Sequence, residues 1–255
     1  MATMHAPTLA SDVLMTVGPL EIRNTMLMAW IAMAVLTVLA LFLYARKYKR
    51  VPGRFQAAAE LAVEGLLGLT DGVLHDQKLT RRVFPVIATF FIYILLSNWM
   101  GILPGVGSIT VEHGGHAVPL FRSLAADVNT TLAFSLISVV MTQALGIATI
   151  GILPYIGKYI VMPWHKPYGI GTFVGLLELI GEFARLVSFA FRLFGNIFAG
   201  EVLLIVIFYL APYIVPIPFL GMELFVGVIQ ALVFTMLTLV FLKMAVTAHG
   251  DPSHA

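Results

Sequence analysis

The stretch from Gly171 to Leu210, GTFVGLLELIGEFARLVSFAFRLFGNIFAGEVLLIVIFYL, constrains this chain more than any other. It is apolar enough to lie in a bilayer, yet it carries Glu178, Glu182, Arg185, Arg192, Asn196 and Glu201. Charge at membrane depth is expensive and is tolerated where it faces protein or water. Five ionisable groups in one hydrophobic helix therefore point to a path for an ion. The rest of the chain must hold that path and supply a second wall.

Composition places the whole chain in the same setting. Of its 255 residues 60% are hydrophobic and 11% charged, and the mean hydropathy is +0.96. Soluble domains carry about 25% charged residues, so an integral membrane protein is expected. A net charge of +2 gives no reason to expect nucleic acid. The chain has no cysteine, which excludes disulfides and thiolate metal sites and leaves the compartment open. The opening MATMHAPTLASDVLMTVGPL lacks a basic start followed by a long apolar core, so neither a signal peptide nor an Arg-rich transit peptide is expected.

The pattern predicts a single all-α membrane domain, 1–255, with five transmembrane helices and one interfacial amphipathic helix. Residues 1–24 precede span one, 25–45, which is free of charge and long enough for ~30 Å of hydrocarbon. A basic block follows at Arg46, Lys47, Lys49, Arg50 and Arg54. Over 55–78 the polar residues Gln56, Glu60, Glu64, Asp71, His75 and Lys78 form one stripe at helical period. Such a helix is expected to lie in the interface plane. Span two is 83–105, with Trp99 at headgroup level and Pro104–Gly105 as a stop. The following polar loop contains HGGH, in which His113 and His116 lack a third ligand at metal-site spacing, so a solvated turn is expected. Span three, 128–150, is capped by Asp127 or Asn129. The long helix of span four runs over 170–210. A charge-free turn at 211–221 leads to span five, 220–247. No cofactor and no resident metal are expected.

Basic residues set the orientation. The segment 46–82 holds eight Lys or Arg, the loop after span two only Arg122, and the segment before span one only Arg23. Lys158 and Lys166 mark the next basic loop. The positive-inside rule then puts the N-terminus outside and the C-terminus in the cytoplasm. There is no internal repeat of the kind that inverted-repeat transporters carry.

On a helical wheel with Glu178 at zero, Glu182 falls near about 40°, Arg185 near about 340°, Arg192 near about 320° and Asn196 near about 0°. These residues share one face, whereas Glu201 points to about the opposite side unless protein borders it there. Glu178 lies roughly 21 Å before Arg192 and Glu201 roughly 14 Å after it. In the last helix Glu223, Gly227, Gln230 and Thr238 also share a face. The turn puts Glu201 and Glu223 near one outer end of an antiparallel hairpin, with Gln230 about 10 Å deeper. A buried or paired carboxylate can exchange protons near neutral pH. Arginine cannot lose its proton, so it is a poor relay and a good gate. Plainer readings also fit some of these groups. Glu182 and Arg185 at i, i+3 can form an interfacial ion pair, Glu178 can snorkel to the surface, and Glu201 and Glu223 can be solvated helix ends. The glycines at 171, 175, 181, 195 and 200 read as close-packing points.

Around Arg192 the sequence reads FRLFGNIFAGE, and this resembles the signature of subunit a of the F-type ATP synthases. VPGRFQ, NWMGILPG, DVNTTLAFSL and IQALVFTMLTLVFLKMA extend the resemblance over the whole chain. It implies a stator subunit whose long charged hairpin, about 168–247, faces a rotor ring of c subunits, and whose first span and interfacial helix are gripped by the peripheral-stalk b subunits. Arg192 would be the essential arginine facing the ring, with Asn196 and Gln230 as polar neighbours. Glu201 and Glu223 would line an outer half-channel and Glu178 a cytoplasmic one, with Glu182 and Ser188 as further candidates. Many family members have histidine at one of the two outer positions, where this chain has two glutamates. Protons are the expected ion, in a bacterial plasma membrane. The chain has no GxxxxGK[ST] motif and no catalytic role is expected. The alternatives are a self-contained ion transporter and a membrane-embedded hydrolase, which would need a nucleophile such as Ser188 beside the glutamates.

Overall fold

The computed structural model describes residues 11–18, 20–45, 52–103, 106, 109–113, 116–152, 155 and 170–247. The basic positions 46–50, Lys158 and Lys166, and the polar tail from 248 onward lie outside the described residues. Six α-helices carry the described fold: α1 Asn24–Ala45, α2 Arg54–Leu74, α3 Gln77–Ile102, α4 Val128–Ile150, α5 Ile170–Leu210 and α6 Pro216–Thr247. Among the described residues five of them, all but α2, are long and apolar enough to cross a membrane. This is an all-α integral membrane protein.

Two small antiparallel hairpins supplement the helices. β1 (Val13–Val17) pairs with β2 (Leu20–Arg23) just before α1. Gly18 turns between them at φ 62°, where a side chain would be strained. β3 (Thr110–His113) pairs with β4 (His116–Pro119), with His113 opposite His116. The two histidines of the expected turn end these paired strands, and the turn itself, 114–115, lies outside the described residues. Sequence periodicity misses both hairpins because their strands are only four or five residues long.

Helix boundaries differ from expectation where local chemistry decides them. The stripe does not continue to Lys78. His75 takes a left-handed conformation, φ 57° and ψ 20°, and its N–H caps α2 on the Asp71 carbonyl. Asp76 then accepts hydrogen bonds from the N–H groups of Lys78 and Leu79, which starts α3 six residues earlier than expected. Lys78 thus belongs to α3. At the other end α3 stops at Ile102. The turn after α5 is also shorter than 211–221. Pro216 occupies the first helical position of α6, where its missing N–H is no loss.

The bundle is held by α3 against α6 and α4 against α5, with α4 also packed on α6. The central core joins Phe90 and Ile94 of α3, Phe189, Leu193 and Ile197 of α5, and Ala231 and Phe234 of α6. A second cluster, Leu74, Val83, Ile87, Leu239 and Leu242, ties the end of α2 to α3 and α6. Apolar burial does little to hold helices together in lipid, so close packing and interhelical hydrogen bonds matter more. Here Ser138 of α4 bonds Thr238 of α6 at 2.8 Å. Asn98 of α3 donates to the Gly227 carbonyl at 3.1 Å, and the Trp99 indole N–H to the Leu224 carbonyl at 3.2 Å.

The loop between β4 and α4 dips into the bundle. Residues 122–127 are all buried, including a 3-10 turn at Leu124–Ala126. Ala125 and Ala126 are small enough to sit in the central core. Asp127 closes the loop. One carboxylate oxygen accepts from Ser11 Oγ (2.8 Å) and Thr25 Oγ1 (3.1 Å), the other from the N–H and amide of Asn129. It therefore caps α4 and joins it to the N-terminal segment and α1. Asp127→Ala removes the cap and leaves two buried hydroxyls unpaired. It is expected to cost about 3–5 kcal/mol, read as a lowered unfolding temperature of the detergent-solubilised protein. An unchanged transition would contradict this role.

Candidate functional site

The long helix α5 is the centre of the site, and its neighbours sort its charges. Phe189, Ala190, Leu193, Phe194 and Ile197 are buried against the other helices. Ser188, Arg192 and Asn196 recur at steps of four on the helix surface and are exposed. Among the described residues Arg192 makes no hydrogen bond and no ion pair. It stands beside Phe191, also exposed, on a helix that is otherwise suited to hydrocarbon.

Arg185 behaves differently. It lies on the same side of the wheel as Arg192, but its guanidinium pairs with Glu182 at 2.9 Å and lies 3.8 Å from the centre of the Phe241 ring of α6. The face drawn as one continuous polar stripe is therefore two regions. Toward the start of α5 a guanidinium is satisfied within the chain by charge and by an aromatic face. At Arg192 it is not. Glu178 is half-buried one turn before Glu182 and makes contacts of its own.

Glu201 points away from Arg192, as the wheel requires, and protein does border it there. The Arg122 guanidinium comes from the loop before the 3-10 turn, with Nε 3.3 Å from one carboxylate oxygen and 3.4 Å from the other. Glu201 is therefore not a freely solvated helix end. Glu223 is not one either, being only 4% exposed. Its carboxylate lies directly against Gly200, so that a methyl at position 200 would overlap it. Gly200 makes room for the acid of the neighbouring helix and sits next to Glu201 in the chain. Glu201 and Glu223 are thereby brought to one level of the α5–α6 pair.

The remaining polar face of α6 turns inward. Gly227, Gln230 and Thr238 are all buried with Glu223. Ala231, next to Gln230, and Leu193, next to Arg192, belong to the same buried cluster. Asn98 and Trp99 of α3 bond α6 carbonyls at 227 and 224, one turn beyond Glu223 and next to it. Their part in fixing that end of α6 was not visible in sequence. Nor was that of Arg122, although a single cation in the loop between spans two and three is a usable signal.

The glycines divide in the same way. Gly200 is a close approach, but a Cβ at Gly181 or Gly195 would meet nothing within 4 Å. Among the described residues those two are not packing points.

The described residues thus form a polytopic helical membrane protein with an arginine unpaired among them on the long helix and two carboxylates near one end of the α5–α6 pair. The model of the ATP synthase A chain family matches residues 26–243. ATP synthase subunit a of Moorella thermoacetica is 31% identical over 232 residues, which is 91% of this chain and 94% of that one. The Desulforamulus reducens subunit a is 35% identical over 89% of this chain and 81% of its own length. That of Gloeobacter violaceus is 35% identical over 92% and 88%. The chain belongs to the ATP synthase A chain family.

Gly200→Ala is expected to destabilise the α5–α6 pair by about 1–3 kcal/mol, because the methyl must displace a carboxylate packed against backbone. Gly181→Ala, at an open helical position, is expected to stabilise by about 0.5–1 kcal/mol. Unfolding temperatures of the two solubilised variants should move in opposite directions, and a common direction would contradict the packing described.

Proposed function

We propose that this chain is the stator subunit that carries protons to and from a rotating ring of c subunits in the membrane sector of an F-type ATP synthase. The observation that carries this reading is the state of Arg192. An unpaired guanidinium on the surface of a membrane helix needs protein or water beside it, and among the described residues it has no partner carboxylate. A carboxylate on a passing ring subunit meets that need transiently. The family membership and the signature around Arg192 support the same reading.

Protons from the outside reach Glu201 and Glu223 and pass to the ring carboxylate. Once neutral, that carboxyl can travel through lipid as the ring turns. At the inner path it releases its proton past Glu178, the acid on the opposite side of Arg192 along α5. Still ionised, it then passes Arg192, with Asn196 and Gln230 as polar neighbours at that depth. The fixed positive charge repels a proton attempting the direct route between the two half-paths. Each charge that crosses gains about 2.3 kcal/mol per 100 mV of membrane potential, which the ring turns into rotation. Chemistry on the nucleotide belongs to other subunits. The b subunits of the peripheral stalk hold this chain still, through the first span and α2, and the membrane is a bacterial plasma membrane with the C-terminus in the cytoplasm.

The alternative is a transporter that works alone. Purified chain reconstituted into liposomes without a ring should pass no protons above the lipid background, whereas conduction by the chain alone would favour the transporter. In membranes carrying the assembled complex, Glu223→Gln should lower proton flux by about tenfold or more with assembly unchanged. Wild-type flux in that variant would remove Glu223 from the path.

A further inference from the structure

The outer glutamates are not placed by the hairpin alone. Glu201 is approached from outside the hairpin by Arg122, which lies between β4 and the 3-10 turn and is only 3% exposed. The Arg122 Nε is nearly equidistant from the two Glu201 oxygens, at 3.3 Å and 3.4 Å, and the Glu201 side chain remains 26% exposed. The arginine is thus sealed in protein while the acid keeps an open side.

The loop that carries Arg122 is itself fixed. Ser123, Leu124, Ala125, Ala126 and Asp127 are buried after it, and Asp127 is bound by Ser11 and Thr25. A buried ion pair is a weak source of stability, since an apolar pair often does as well. What it supplies here is position. A glutamate side chain at a helix surface has several rotamers, and a planar guanidinium anchored in the bundle selects among them. Glu223 on α6 lies against Gly200, the residue preceding Glu201.

We propose that Arg122 is a positioning residue of the outer proton path, holding the Glu201 carboxylate at the mouth of the α5–α6 pair on the side from which protons enter. The proposal rests on the reading of Glu201 as an outer-path acid. Arg122 itself carries no proton. It keeps the first acceptor where the outside can reach it and where Glu223 is the next acid inward. The outer path is then built from three parts of the chain, the inserted loop, α5 and α6, and its register depends on the loop.

The test uses the complete ATP synthase in inverted membrane vesicles, with Arg122→Gln, Arg122→Lys, Glu201→Gln and the double variant Arg122→Gln/Glu201→Gln. Two quantities are read: the amount of this chain assembled in the membrane, and proton flux per assembled complex. Arg122→Gln should lower flux by about tenfold or more, as misplacement of a reacting group does. Arg122→Lys, which keeps the charge, should recover to within about threefold of wild type. Wild-type flux in Arg122→Gln, with flux lost in Glu201→Gln, would overturn the role of Arg122 and leave Glu201 in the path. Equal losses in the Lys and Gln variants would also overturn it. Wild-type flux in Glu201→Gln would instead remove the outer-path reading on which the proposal stands. Should Arg122→Gln assemble poorly, the double variant should restore assembly, because it also removes the carboxylate left unpaired. Failure to restore it would show that Arg122 does not act through Glu201.

Discussion

A charge in hydrocarbon must find protein, water or an opposite charge, and most of this structure follows from how each charged group in α5 meets that demand. Arg185 meets it with Glu182 and the face of Phe241. Glu201 meets it with Arg122. Glu223 is enclosed between α5 and α6, in the space that Gly200 leaves. Arg192 has no such partner among the described residues and stands exposed between Ser188 and Asn196. Among the described residues that one side chain is left without the partner that the other charged groups have.

Holding the other charges requires a bundle stiffer than apolar contact in lipid would make it. Hydrogen bonds between helices serve that purpose: Ser138 with Thr238, Asn98 with the Gly227 carbonyl, Trp99 with the Leu224 carbonyl. The inserted loop adds a further constraint at the end where Glu201 and Glu223 meet. Its buried run from Arg122 to Asp127 touches α1, α3, α4 and α5, and Asp127 at its end is bonded to Ser11 and Thr25.

Much of this was legible in the sequence. Long charge-free runs mark spans because hydrocarbon thickness imposes a length, and α5 could be read from 170 to 210 because its apolar residues never lapse. The polar residues of α6 share a face in the sequence, and that face is indeed buried. What could not be read is local or tertiary. The break at His75 rests on one left-handed residue and on the Asp76 cap. The split of the α5 stripe depends on Phe241, which lies 56 residues from Arg185 in the chain and reaches it only through packing. The partner of Glu201 lies 79 residues away. Helical periodicity gives the direction of a side chain and is silent about what stands there. For Gly181 and Gly195 the same limit applies, since spacing alone does not say which small residues face a neighbour and which face outward.

The central claim is that one fixed positive charge on α5 keeps two proton half-paths apart. It is tested most directly by measuring ATP-driven pumping and passive proton flux in inverted vesicles whose complex carries Arg192→Ala. The account predicts that ATP-driven pumping is lost while passive flux through the membrane sector is kept or increased, because the barrier goes and the half-paths remain. Normal coupled pumping in that variant would contradict it and would place the barrier elsewhere on the hairpin, with Asn196 and Gln230 the first residues to examine.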